Sequence, residues 1–173
     1  MRLSRLCFQT AILLLIAASI ATGGEPATWP EFSPPQAGFS VRMPGTPTHE
    51  FDAAASTDTF QVREGDQVWS ASVVYLPREV REMPPQRILD QTKASFLRLF
   101  PNSRLVSSEP VKLGGFPGFK CVIQSHAQGR PEFIFKASVV VANGRMFSVG
   151  FAGRKDAFNE VEVEKYLGTF QLR

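Results

Sequence analysis

The chain has 173 residues, 43% of them hydrophobic and 20% charged. These are the proportions of an ordinary globular domain, not of a disordered or fibrous chain. The formal charge is +3, but Arg2 and Arg5 lie in a terminal segment of their own; taking them from the nineteen bases leaves seventeen against sixteen acids, a balance of +1, and with bases interspersed among acids, as in Arg78-Glu79-Val80-Arg81-Glu82, no nucleic-acid partner is indicated.

Residues 1–23 have the three-part layout of a secretory signal peptide. Arg2 and Arg5 form the basic region, Ala11 to Ile20 is apolar except for Ser19, and small residues follow, so cleavage is expected after Ala21 or Gly23. The apolar run is shorter than the roughly 20 residues of a membrane span. The alternative is an uncleaved N-terminal anchor that begins nearer Leu6. The protein is therefore expected to be exported, periplasmic or extracellular, with no transmembrane span in its mature form. Cys7 precedes the apolar run and is not placed as a lipid acceptor. Its removal leaves Cys121 alone, so no internal disulfide is expected.

Residues 24–38 are rich in proline and glycine and read as a linker that packs onto the domain through Trp29 and Phe32. A single α+β domain is expected over residues 39–173. It opens with a strand in which Phe39, Val41 and Met43 alternate with Ser40 and Arg42, and Pro44-Gly45 stops it. Residues 46–57 carry no clear pattern, and within them Ala53-Ala54-Ala55-Ser56 reads as a helical turn or a loop. Residues 57–63 alternate as a strand, Glu64-Gly65-Asp66 signals a hairpin, and residues 68–76 return with Trp69, Ala71, Val73 and Tyr75 on one face. Residues 77–85 read as a charged loop. The strongest helix covers residues 86–100, with Ile88, Leu89, Thr92, Phe96, Leu99 and Phe100 near one face, and Pro101-Asn102 ends it.

The second half reads as nearly all strand. Residues 105–108 form a short strand, and residues 113–118 a tight glycine-rich loop. Residues 119–126 and 130–142 are longer strands, the latter apolar on both faces. Asn143-Gly144 is a two-residue hairpin signal, and residues 145–151 return. In residues 119–123, Cys121 alternates with Phe119 and Ile123, the pattern of a buried apolar thiol. A terminal helix is expected over residues 156–167, capped by Asp156 and docked by Phe158, Val161 and Tyr166, with Phe170 adding a last contact. The order of elements argues for a mostly antiparallel sheet flanked by helices on both faces.

With these elements in place, the run Phe39-Ser40-Val41-Arg42-Met43-Pro44-Gly45-Thr46-Pro47 resembles a group of bacterial secreted proteins that carry F-x-V-x-x-P-G-x-P near the mature start. The middle helix, Leu113-Gly114-Gly115-Phe116-Pro117-Gly118, Asn143-Gly144 and a closing helix followed by Phe170 fit the same group. That group is similar to the PsbP-like fold, the α/β/α sandwich of the extrinsic PsbP subunit of photosystem II and of the Mog-type Ran-binding nuclear import factors. The resemblance covers about residues 32–172. It implies a non-enzymatic binding or assembly factor. No photosystem or Ran-binding motif matches, and no functional residue carries over.

The residues themselves supply little trusted chemistry. His49, Glu50 and Asp52 stand close in the chain, but a zinc site needs three or four converging ligands. His126 reads as a solvated histidine at a strand end. No G-x-S-x-G elbow or phosphate-binding loop is present. Glu109, Glu132 and Asp156 are available as a carboxylate pair but read as surface charges. No catalytic, cofactor-binding or metal residue is assigned. The expected function is a non-catalytic binding or assembly module whose partner is a protein or an envelope component. The alternative is a hydrolase-like extracytoplasmic enzyme with a site assembled from distant residues.

Overall fold

The computed structural model describes residues 26–99, 102–125 and 131–173. The segment read as a signal peptide, Phe100, Pro101 and His126 lie outside the described residues. Among the described residues, ten strands form two sheets in which every pairing is antiparallel. The large sheet contains β3 (Thr48–Asp52), β4 (Thr57–Glu64), β5 (Gln67–Tyr75), β6 (Ser103–Leu113), β7 (Phe116–Ser125), β8 (Phe133–Ala142) and β9 (Arg145–Arg154). Its order is β3-β4-β5-β9-β8-β7-β6. The small sheet has β2 (Phe39–Arg42) between β1 (Glu31–Phe32) and β10 (Gln171–Leu172). Helices α1 (Arg78–Arg81) and α2 (Pro85–Leu99) follow β5, and α3 (Glu160–Gly168) follows β9.

The central strands of the large sheet are buried on both faces, which explains the doubly apolar sequence of β8. On one face Val139 and Val141 join Phe119, Cys121, Ile123 and Met146 beneath Ile88 and Leu89 of α2. On the other, Val140 and Ala142 join Trp69, Phe147 and Phe151 beneath the small sheet and α3. The protein is thus a mostly antiparallel α+β sandwich, as the order of elements argued.

In β2, Phe39, Val41 and the following Met43 are fully buried. Phe39 sits 5.2 Å from the Phe170 ring and 5.9 Å from Phe60. Burying each such side chain contributes roughly 1.5–3 kcal/mol. The alternation expected there is incomplete, because Ser40 is buried too. β10 pairs alongside it, and Arg173 Nε donates to Ser40 Oγ at 3.0 Å. Within the stretch read as a linker, Trp29 is buried and packs edge-on to Trp69 at 5.0 Å.

Several elements differ from the sequence reading. β3 lies within residues 46–57, where the sequence offered no clear element; it is an exposed edge strand, so no alternation of buried residues marks it, while residues 53–56 form the turn read there. The charged loop before α2 holds the one-turn helix α1. β6 is eleven residues long where four were expected, because it continues through a register shift at Leu105/Ser107 and through Pro110. The last helix starts later than expected. Asp156 belongs to a short 3-10 turn and pairs with Arg154, and the cap of α3 is Asn159, whose side chain accepts from Glu162 N. The shift in start changes the buried face: Val163, Tyr166 and Leu167 dock the helix while Val161 is exposed.

Candidate functional site

The cap at Asn159 sets the phase of α3. Val163, Tyr166 and Leu167, at i, i+3 and i+4, enter the core. Tyr166 is pinned at its tip, its hydroxyl donating to Ser70 O at 2.9 Å. At the helix end, Thr169 Oγ1 donates to Tyr166 O at 2.7 Å and accepts from Arg42 N at 3.1 Å, which ties α3 to the small sheet.

The same phase turns Glu160 and Glu164, four residues apart, toward the sheet. One oxygen of Glu164 lies 2.6 Å from Lys136 Nζ on β8, and the other lies 2.7 Å from Lys120 Nζ on β7. Glu160 adds a second contact to Lys136 at 3.1 Å. The Lys136 side chain is 4% exposed. Burial by itself would lower its pKa, but the hydrogen bonds and charges of Glu164 and Glu160 outweigh burial and leave the ammonium above its ordinary value. Burial would likewise raise Glu164, and the bonds from Lys120 and Lys136 outweigh it and hold the carboxylate below its ordinary value.

Beside this ionic chain, α3 and strands β6 to β9 leave a cleft of about 200 Å³. Val111, Leu113, Val140, Leu167 and Phe170 supply apolar wall, and Lys120 and Glu164 line one side. Such a cleft has room for a small apolar group beside the Lys120–Glu164 pair.

The buried groups that could act as nucleophiles are kept protonated. Burial pushes the Cys121 thiol up to about 11, and burial also raises the Tyr166 phenol. Lys136 stays an ammonium, which has no lone pair to donate.

A second polar cluster lies at the far side of the large sheet. His49 Nε2 is 2.7 Å from Asp58 Oδ1, and the Tyr75 hydroxyl donates to Asp58 Oδ2 at 2.9 Å. His49 also stacks on Phe60 at 4.6 Å. Burial and the bond to Asp58 raise the Tyr75 phenol. Among the described residues, no hydroxyl or thiol hydrogen-bonds the other ring nitrogen of His49. At the opposite end of β4, burial raises the Glu64 carboxyl and Glu162 adds to the shift. The buried indole N–H of Trp69 is close enough to Glu64 to pull that pKa down, yet it does not reach hydrogen-bonding geometry.

The residues weighed in the sequence are dispersed. Strand alternation in β3 sends His49 to one face and Glu50 and Asp52 to the other. Asp52 accepts from the backbone of Ala54 and Ala55 and shapes the turn. Glu132 pairs with Lys155 at 2.8 Å, and Asp156 pairs with Arg154. Glu109 stands 4.0 Å from Lys120. No group of three or more His, Cys, Asp or Glu side chains able to hold a metal occurs among the described residues. Sequence reasoning missed Lys120, Lys136 and Glu164. The one signal available was a lysine in the middle of an apolar strand, Phe135-Lys136-Ala137, on a face that must be covered.

No family model matches the chain, and no curated protein is detectably similar to it. Solved structures do share its fold. The solution structure of cyanobacterial PsbP (CyanoP) from Synechocystis sp. PCC 6803 is similar over 90% of this chain and 98% of that one, with 14% identity and a TM-score of 0.58. LpqN of Mycobacterium tuberculosis, described as involved in cell envelope biogenesis, is similar over 78% of this chain and 82% of its own, with 12% identity and a TM-score of 0.51. A protein from Bacteroides thetaiotaomicron VPI-5482 matches 84% of this chain and 48% of its own, with 15% identity and a TM-score of 0.53. The fold is PsbP-like; at these identities the likeness concerns the fold alone. Among the described residues, no helix is long and apolar enough to cross a membrane.

Proposed function

We propose that the protein is an exported, non-catalytic binding or assembly module that acts at the cell envelope through the α3 cleft. Residues 1–23 serve as its export signal, and residues 39–173 are its single domain. The observation that carries the reading is the Lys120–Glu164–Lys136 chain beside an apolar cleft. Its members hold one another in their charged forms, so it offers fixed charges for recognition rather than proton transfer. The inert states of Cys121 and Tyr166 agree with this. The likeness to LpqN, described as an envelope-biogenesis protein, is in keeping with an envelope role.

The test is crosslinking in native envelopes, with mass-spectrometric mapping of the crosslinked sites. Crosslinks that map to Val111, Leu113 and α3, and that vanish in Leu113→Glu, are expected. Crosslinks that map elsewhere and survive that substitution would refute the cleft as the binding site.

One observation favours a second reading, an extracytoplasmic enzyme. The His49–Asp58–Tyr75 chain orients an imidazole by a carboxylate, as general-base sites do. Turnover of an ester or amide panel by the purified protein, abolished in His49→Ala, would establish that reading in place of the first.

A further inference from the structure

Among the described residues the large sheet has two edges, β3 and β6, and they are built differently. β6 carries a register shift at Leu105/Ser107 and Pro110 in its interior. A bulge twists an edge away and proline removes a donor, both of which discourage another strand from pairing. β3 has neither. Its register with β4 runs unbroken from Thr48↔Gln61 to Asp52↔Thr57. Residues 48–51 are exposed, Phe51 57% so, and an unbroken edge strand with unpaired N–H and C=O groups is a template for another strand.

The side chains along β3 define what would pair there. On one face stand His49 and Phe51, beside Phe60 and Asp58 of β4. On the other stand Glu50 and Asp52, and Glu50 has no ionic partner among the described residues. A second copy of the chain fits poorly. Two-fold antiparallel pairing centred on Glu50 sets Glu50 against Glu50, and centring on Phe51 sets Glu50 against Asp52. Centring on His49 sets Pro47, which has no N–H, against Phe51. Charge complementarity favours a different strand.

We propose that β3 is a docking edge for an extended peptide segment that is basic on one face and apolar on the other, added as an eighth strand beside Glu50 and Phe51. Backbone pairing supplies affinity, lysine or arginine opposite Glu50 and Asp52 sets register, and an apolar side chain covers Phe51. This site is separate from the α3 cleft and does not depend on that reading.

The probe is a short capped peptide of alternating lysine and valine, titrated into the full chain and followed by fluorescence anisotropy and by backbone amide NMR shifts. Saturable binding is expected, with the largest shifts within Thr48–Asp52. Glu50→Lys should weaken it by roughly tenfold or more, and Glu50→Gln by less. A fully backbone-N-methylated version of the peptide should not bind. Equal binding of the N-methylated peptide, shifts confined to β6 or to α3, equal binding of an alternating glutamate–valine peptide, or no binding at all would overturn the proposal. So would concentration-dependent dimerisation through β3, measured by sedimentation, because the occupant would then be a second copy.

Discussion

Glu164→Gln tests the ionic chain most directly. The substitution keeps the shape of the side chain and removes the charge shared by Lys120 and Lys136. Lys136, 4% exposed, is then left with Glu160, whose carboxylate is 70% exposed and screened by water. Removing one partner of a buried pair costs about 3–5 kcal/mol. Glu164 is itself 39% exposed, and the surviving Glu160 contact offsets part of the loss. The expected cost is therefore about 2 kcal/mol. With a urea dependence of about 2 kcal/mol per molar, the unfolding midpoint should fall by roughly 1 M. Lys136→Met removes the buried charge as well and should stay within about 1 kcal/mol of the parent. The double variant should recover most of what Glu164→Gln loses.

The pH dependence of the same chain has a definite sign. Glu164 is held below its ordinary 4.5, so its stabilisation is present above 4.5 and is lost as pH falls through the lower folded value. Lys136 is held above 10.5, so its stabilisation is full below 10.5 and is lost as pH rises through the higher folded value. Urea melts between pH 3 and 11 should show both limbs in the parent, and Glu164→Gln should flatten the acid one. An unchanged midpoint in Glu164→Gln, or an equal loss in Lys136→Met, would refute the ionic account and leave the lysine stem as the structural element.

Three further outcomes are expected. Tyr166→Phe removes the donor to Ser70 O and should cost about 1–2 kcal/mol in urea unfolding, because the carbonyl is left without that partner. Gly118→Ala places a Cβ 2.2 Å from Val139 O and should cost about 3 kcal/mol. Gly115→Ala meets no atom within 4 Å and pays only for its positive φ, about 1–2 kcal/mol; thermal melts of the pair check the difference. In a Cys7→Ser background at pH 8, Cys121 should resist iodoacetamide while folded and react once unfolded in urea, because burial keeps it a thiol with a pKa of about 11; prompt labelling of the native protein, read by mass, would contradict its burial.

Much of the fold was legible because its signals are local. The helical spacing of Ile88, Leu89 and Phe96 marked α2. The positive φ values at Asn143 and Gly144 are what that dipeptide favours in a tight hairpin. Edges were the weak point. β3 and most of β6 expose their side chains, so no buried face leaves a period to read, and Pro110 is a residue that strand interiors disfavour. The α3 start was misplaced because Asp156 and Asn159 are both good caps, and docking of the helix onto β8 and β9 decides between them.

The candidate site was scarcely legible at all. Lys120 and Glu164 are 44 residues apart in the chain, and Lys136 and Glu160 are 24 apart. His49, Glu50 and Asp52 stand close in sequence, yet the pleat sends His49 to the face opposite Glu50 and Asp52, while His49 meets Asp58 across a strand pair. The sequence by itself determined the elements whose residues report on their own neighbours: α2, the hairpin turns at Gly65-Asp66 and Asn143-Gly144, the buried Phe39, Val41 and Met43, and the thiol at Cys121. Tertiary structure alone decided which charges face one another, because a buried ion pair is set by how α3 lies on the sheet. The open edge of β3 is likewise a property of the assembled sheet, since a strand is an edge only when no other strand pairs beside it.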